Sequence, residues 1–364
     1  MNKGTSPDQF FQTEPRGKRA AKAGNKNGNP IVLKSKLLAA ISDPTDPSSV
    51  LIAESAGSVR RVNVDTGDTK QVFRGPSAPV TCVAVGGSGS NTLFAGSWDK
   101  NAVVTAKVGG KDILISGGAD KKIIVWDLQT GSRLHVLQDQ AVSMMAIQDL
   151  VVDPVQSGPD EVILVSASSD PHIRRWRIRL DSFEQIKEAS PDEPGAVRHT
   201  VLEHDTTVYK VVFDSESEEV DLWTSSGDGT AKCLSRIKGF TTDDSFRHGD
   251  HVRAVAVTDQ WIITAGRDED IKVWNRSSGK LYSILEGHYD EVTDLVVLNA
   301  GKRIVSVSID GTVRTWSLGQ AELDKINKDR EDKGVKNETP EEPKKGVMTA
   351  EEEAELLELM EDDE

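Results

Sequence analysis

An all-β fold built by repetition is what the sequence predicts, and three observations predict it. Strand-like segments are many and short, and 30 glycines punctuate them. The stretch from 30 to 318 is too long for one ordinary sandwich domain, so it needs an architecture that grows by adding units. Within it one short pattern recurs at a near-constant spacing.

Composition narrows the setting. The 364 residues hold Lys+Arg 44 against Asp+Glu 59, a formal net charge of −15, with 37% hydrophobic and 28% charged residues, as in a soluble globular chain. No run approaches the ~18 apolar residues of a membrane helix. The opening MNKGTSPDQFF has no apolar core of a secretory signal. Two cysteines, Cys82 and Cys233, cannot build a disulfide framework, so the expected setting is intracellular.

Charge is uneven. Residues 1–29 carry six bases and two acids, and residues 319–364 carry 17 acids and 7 bases. Neither end has β-branched or aromatic patterning, so both are expected to be flexible tails around a folded core at 30–318.

The repeat is read from aligned segments. GRDEDIKVWN (266–275), SIDGTVRTWS (308–317), GADKKIIVWD (118–127) and SSDPHIRRWR (168–177) each place Asp six residues before Trp: Asp268/Trp274, Asp310/Trp316, Asp120/Trp126 and Asp170/Trp176. Weaker copies hold Asp228 with Leu234 in the Trp place, Ala56 with Val62, and Asp99 with no Trp following. Four residues before Asp lies Ser116, Ser166, Thr224, Thr264 or Ser306. Upstream, His204, His248 and His288 each stand four residues before a valine that opens a strand. One unit therefore reads His, strand, Ser/Thr in a strand, Asp in a tight turn, strand, Trp.

The physics of such a set is independent of any family. Asp in a turn accepts backbone N–H groups. A buried carboxylate must be paired. His donates from one nitrogen to Asp and accepts Ser/Thr at the other, and the indole N–H needs an acceptor. The same residue types suggest a nucleophile with base and orienter, but the combination recurs in several repeats, as catalytic triads do not. The structural role is the expected one.

These motifs resemble the WD40 family of β-propellers. The resemblance implies four-stranded antiparallel blades. It also implies buried hydrogen-bonded chains: His248–Thr264–Asp268–Trp274, His288–Ser306–Asp310–Trp316 and, without its Trp, His204–Thr224–Asp228. Signature sites at 56, 99, 120, 170, 228, 268 and 310 are spaced 43, 21, 50, 58, 40 and 42. A unit is ~40–45 residues, so the 21 is anomalous. VTAKVGGKDILISGGAD (104–120) aligns without a gap on VRAVAVTDQWIITAGRD (252–268), as first and second strands of a third blade. The expectation is a seven-bladed design whose second blade is truncated, with about 20 residues missing between Lys100 and Val104. An altered transcript, a fold adapted to a short blade, and closure as six blades with 80–100 irregular all remain open. A weakly packed sector around 80–108 follows from the first two. PIVLKS (30–35) is expected to supply the fourth strand of the last blade. Insertions are read at 153–160 and within 181–203.

Enzyme signatures are not found: no GxxxxGK[ST], GxGxxG, HExxH, CxxC pair or GxSxG. His135, His172, His199 and His251 lack metal-ligand spacing. No enzyme activity, cofactor or metal is expected. The expected role is a protein-interaction scaffold or adaptor in a nuclear or cytoplasmic eukaryotic complex, with a monomeric propeller. The acidic balance disfavours direct nucleic-acid binding. PHIRRWRIRL (171–180) reads as an ordinary exposed strand, though Arg177 and Arg179 are candidates for partner contact. Arg179, three places after Trp176, matches part of the motif of WD40 substrate receptors for cullin ubiquitin ligases, but Arg177 stands where that motif wants an acid. PRGKRAAK (15–22) is a short candidate nuclear import signal. In the tail, Thr349 and Glu352 form a capping box for a helix over 349–361, with Leu356, Leu357 and Met360 on its apolar stripe. An acidic helix of that kind suits a basic protein partner. Residues 321–345 read as a charged linker.

Overall fold

The computed structural model describes residues 24–87, 89, 91–98, 100–190 and 196–337. Asp99, most of the N-terminal tail, and the proposed helix with Leu356, Leu357 and Met360 lie outside the described residues.

Strand follows strand in antiparallel meanders. The first sheet orders β2 (Leu37–Ser42), β3 (Ser49–Glu54), β4 (Ser58–Asn63) and β5 (Val72–Arg74). Next come β6 (Val80–Gly86) and β7 (Thr92–Ser97), which pair only with each other among the described residues. β8 (Lys100–Val108), β9 (Lys111–Gly118), β10 (Ile123–Asp127) and β11 (Arg133–Leu137) form another four-stranded sheet. β12 (Ile147–Val152), β13 (Val162–Ser168), β14 (His172–Ile178) and β15 (Phe183–Gln185) follow, and β18 (Val201–Leu202) adds to β14. Between them, β16 (Glu188–Ala189) and β17 (Val197–Arg198) make a small ribbon in the second insertion. β19 (Val208–Phe213), β20 (Leu222–Ser226), β21 (Thr230–Ser235) and β22 (Thr241–Arg247) make the next sheet. β23 (Val252–Val257), β24 (Trp261–Gly266), β25 (Ile271–Asn275) and β26 (Leu281–Leu285) make the one after it. β27 (Val292–Leu298), β28 (Arg303–Ser308) and β29 (Thr312–Ser317) are completed by β1 (Ile31–Val32) from the other end of the chain.

The fold is thus an all-β propeller of six four-stranded blades, with the two-stranded β6–β7 sheet between the first and the next. The opening strands β2, β6, β8, β12, β19, β23 and β27 each neighbour the next, and β27 neighbours β2, so they close a ring. Alternation along each strand explains the packing. Val50 and Ile52 of β3 face Val305 and Val307 of the last sheet, while Leu51 and Ala53 face Val80 and Val83 of β6. Closure uses more than β1. Ile31 pairs with Val313, the Thr293 hydroxyl donates to the Leu37 carbonyl at 3.0 Å, and Ala40 N donates to Asp294 Oδ2 at 3.1 Å.

Two boundary expectations are corrected. The flexible tail was expected to run through 29, but residues 25–29 lie against the last sheet. Arg314 is buried, so its guanidinium needs acceptors; Nη1 donates to the Asn25 carbonyl at 3.1 Å and to that of Asn27. Gly28, at φ +69°, sits so close that a Cβ there would lie 2.8 Å from the Trp316 ring. The charged linker expected from 321 begins as a helix, α1 (Gln320–Asn337). Glu322 lies in its first turn, where negative charge suits the dipole. Leu323 is fully buried in the propeller unit, which ends there. Beyond it, Asp324/Lys328 and Lys328/Asp332 stand at the i,i+4 spacing that stabilises a polar helix.

Candidate functional site

The chemistry-bearing residues fall into buried sets inside the blades and a polar group around the central channel. In the last blade, His288 Nδ1 donates to Asp310 Oδ2 at 2.9 Å, and Nε2 accepts from the Ser306 hydroxyl at 2.7 Å. Ser306 Oγ in turn accepts the Trp316 indole N–H at 2.9 Å. Asp310 also takes the Thr312 hydroxyl and amide, both at 2.7 Å. Burial pushes His288 below the usual histidine range, although Asp310 opposes it, so the ring is neutral at pH 7. Burial alone would raise Asp310, but the His288 N–H and Thr312 hold it below the usual carboxylate range.

The blade before it repeats this with the ring turned over. His248 Nε2 donates to Asp268 Oδ1 and Nδ1 accepts from Thr264 Oγ1, each at 2.8 Å, and Trp274 N–H reaches Thr264 at 2.8 Å. Lys272 adds a 2.9 Å ion pair to Asp268. In the β19–β22 blade, His204 joins Asp228 and Thr224, each at 2.7 Å, and Leu234 fills the indole's place. Here too burial would raise Asp228, but the His204 N–H and the Thr230 hydroxyl hold it well below the usual range. Ser306, Thr264 and Thr224 have no exposed surface. A hydroxyl that water cannot reach has no route to a substrate, so the set ties strands together.

Two blades depart from the expected set. In β8–β11, Trp126 N–H donates to Ser116 Oγ at 3.0 Å, but Asp120 is exposed and no histidine joins it; the spacing placed it correctly in a turn but not in a buried chain. In β12–β15, Trp176 N–H donates to Ser166 Oγ at 3.0 Å, and an arginine at the register of Lys272 pairs with the turn carboxylate. Arg174, fully buried, donates to Asp139 at 2.7 Å and Asp170 at 3.0 Å. Burial would raise Asp170, and Arg174 together with the Met145 amide holds it low. The reading of 171–180 as an exposed strand is corrected: Arg174 and Arg175 are buried, the latter 4.5 Å over the Phe240 ring. Arg177 and Arg179 do reach the surface, but Glu161 pairs with both, Arg179 at 2.6 Å and Arg177 at 3.4 Å, and Glu184 also pairs with Arg177. In the first blade Ala56 stands in the Asp place and Glu54, two residues earlier, accepts Ser58 at 2.6 Å and Arg60 at 2.9 Å. Asp139 and Glu54 lie outside the repeat's spacing, so no periodic signal marks them.

The channel holds residues that sequence reasoning missed. A cavity of about 240 Å³ is lined by Asp149, Tyr209, Lys210, Arg253, Glu291 and Asp294 among others. Lys210 Nζ lies 3.2 Å from Asp294, and Val211 N donates to Asp149 at 3.0 Å. Loss of hydration works against the charge of Lys210, yet Asp294 and Asp149 hold it above the usual lysine range. Burial raises Asp149, against the pull of Lys210. Arg253 pairs with Glu291 at 3.0 Å and lies 4.2 Å over the Tyr209 ring. A partial signal existed: Lys210 and Asp294 each stand six residues after a network histidine. Among the described residues no group of three or more His, Cys, Asp or Glu could hold a metal ion.

The family model described as "WD domain, G-beta repeat" matches residues 67–104, 243–275 and 279–317. The chain carries WD40 repeats in these three places. The chain is 28% identical to an uncharacterized WD repeat-containing protein of Schizosaccharomyces pombe, over 98% of this chain and 99% of that one. That match runs over 398 aligned positions against a chain of 364 residues, so the relative carries stretches with no counterpart here. It is 24% identical to nuclear distribution protein nudF of Aspergillus niger, over 70% of this chain and 53% of the relative. It is 25% identical to pre-mRNA-processing factor 19 homolog 2 of Arabidopsis thaliana, over 57% of this chain and 36% of the relative. The WD40 chain therefore spans about half or less of the last two. WD40 propellers mediate protein interactions and are generally non-catalytic. Among the described residues no helix is long and apolar enough to cross a membrane.

Proposed function

We propose that this WD40 protein is a non-enzymatic interaction scaffold or adaptor of a eukaryotic intracellular complex, in the nucleus or cytoplasm. Partners bind the loops of the propeller and the acidic C-terminal tail. The observation that carries this reading is the inward use of the repeat chemistry: the hydroxyls and imidazoles of the three histidine-bearing blades are buried in hydrogen-bonded chains, leaving rigid loops as the outward surface. The acidic sequence 351–364, nine acids without a base, supports a basic protein as the partner of the tail. Affinity purification of the full chain and of a chain lacking 346–364, read by mass spectrometry, tests it. Loss of a basic partner on deletion supports the tail; unchanged recovery defeats that part. The second reading, a cullin-ligase receptor acting through Arg179, has less support because Glu161 already engages that guanidinium.

The ring is best read as seven-bladed by design with its second blade open. Seven opening strands support this. So does a conflict over one segment. The family match 67–104 runs on into β8 as part of one unit, whereas β8 pairs with β9 as the start of the following sheet. A join that removed about 20 residues, two strands of a ~40-residue unit, would leave one strand answering to both patterns. Sequencing the transcript across codons 90–110 tests this; a longer product restoring a third and fourth strand is the expected result.

A further inference from the structure

Among the described residues the second sheet is open and leaves a slot in the rim, and its walls are not those of an ordinary surface. β7 is half exposed along its length, with Ala95 at the surface, while β3, β13, β20 and β24 are buried throughout. On the far wall, Trp126 is half-buried, whereas Trp176, Trp274 and Trp316 are 1%, 9% and 4% exposed. Leu114 beside it is also half-buried, although Leu164, Leu222, Ile262 and Ile304 at its place are fully covered. Strand parity explains both. Ile113, Ile115, Ile123 and Val125 face the blade after, so Leu114, Ile124 and Trp126 face the slot. Ile124 is the telling residue. Two places before the Trp site the other five blades carry Arg60, Arg174, Lys232, Lys272 and Arg314, and only this wall carries an aliphatic side chain. On the near wall, Phe73 pairs with Val59, which faces β6, and is 39% exposed. The floor is the edge of β7, and Thr92–Ser97 holds no charge and no proline, the usual guards of a bare edge.

We propose that this slot takes up a two-stranded β-hairpin of another polypeptide, pairing with the free edge of β7 and apolar on the faces toward Ile124 and Phe73. Strand count sets its size: neighbouring sheets are two strands deeper, a recess of about 10 Å. The recess excludes a second copy of the chain pairing β7 to β7, because both edges lie inside their walls. The chain's own ends are a poor match, since 1–23 and 338–364 carry no alternating apolar run. The recognition is strand addition, with main-chain hydrogen bonds giving affinity and alternate side chains giving selectivity.

The test uses the full chain and a fluorescent synthetic peptide of residues 269–286, the outer hairpin of a complete blade. Saturable binding is expected by anisotropy, with a rise in Tm. Ile124→Glu, which sets an acid where the other five blades carry a base, is expected to weaken binding by about tenfold or more. Val32→Lys, on the exposed β1, is expected to leave it unchanged. No saturation up to about 1 mM, or equal binding to the Ile124→Glu chain, overturns the proposal. A second chain carries the hairpin in cis between Asn101 and Ala102; it is expected to melt higher and to ignore the peptide. The inference rests on the open-sheet reading above. A higher Tm in cis with no peptide binding to the parent chain would keep that reading and sink this one, while an unchanged or lower Tm in cis would sink both.

Discussion

The last blade and the β6–β7 sheet begin alike and end differently. β28 carries Ser306 with no exposed surface, tied to His288 and Trp316. The corresponding place in β7, four residues before Asp99 in sequence, is Ala95, which faces solvent. A second strand is buried by its own outer strands and by those of the blade before it. Without outer strands the same backbone becomes surface. Identical local geometry therefore has opposite energetic weight in the two sheets, because burial is a property of neighbours.

The sharpest way to break this comparison is one substitution at both places. Ser306→Lys should cost more than about 4 kcal/mol and unfold the chain, since it puts a charge among buried groups. Ala95→Lys should stay within about 0.5 kcal/mol. Urea melts of both variants check it, and equal losses would end the argument. Next in size, Asp310→Ala strands the His288 N–H in a buried site and should cost about 3 kcal/mol or more. Asp120→Ala, in a turn already exposed, should cost under about 1 kcal/mol. Smaller again, Trp316→Phe should cost about 1–2 kcal/mol through the lost bond to Ser306. Trp126→Phe, with the same bond but half in water, should cost about 1 kcal/mol or less.

Acid sharpens the same contrast. His288 lies below its unfolded value of about 6.5, so its contribution is complete above that pH and is lost as pH falls toward the folded value. Asp310 is also depressed, and its share is lost lower, below about pH 4. Tm should be level above pH 7 and fall in those two stages, and a His288→Gln chain should show a smaller upper stage, the remainder belonging to His172, which burial also holds low. The smallest effects belong to the rim. Arg177→Ala and Arg179→Ala remove exposed pairs to Glu161 and should each shift stability by under about 0.5 kcal/mol in thermal melts. A larger loss would mean those arginines are structural.

Much of this architecture was legible before any coordinates. The Asp-to-Trp spacing of six and the Ser/Thr four residues before Asp are hairpin distances, set by one turn and two strands, so a linear pattern carries them. The three histidine sets were implied by the resemblance to the WD40 family, since each histidine lies 16 to 24 residues from its partners. Other pieces had no linear trace. Asp139 reaches Arg174 across 35 residues, and Glu54 replaces a missing turn carboxylate from another position. Helix α1 reads as a linker because its polar face-to-face spacing has no apolar stripe to announce it.

By itself, then, the amino-acid order determined that one strand–turn–strand unit repeats along the chain with Ser/Thr, Asp and Trp at fixed places in it, and the resemblance those places carry implied the blades and their polar sets. Only the tertiary structure decided where β8 belongs, which tryptophan stays half wet, and which arginine meets an aspartate 35 residues away. The reason is range. Turn spacing and strand alternation act within a hairpin, whereas edge pairing, burial and ion pairing depend on what a distant segment brings alongside.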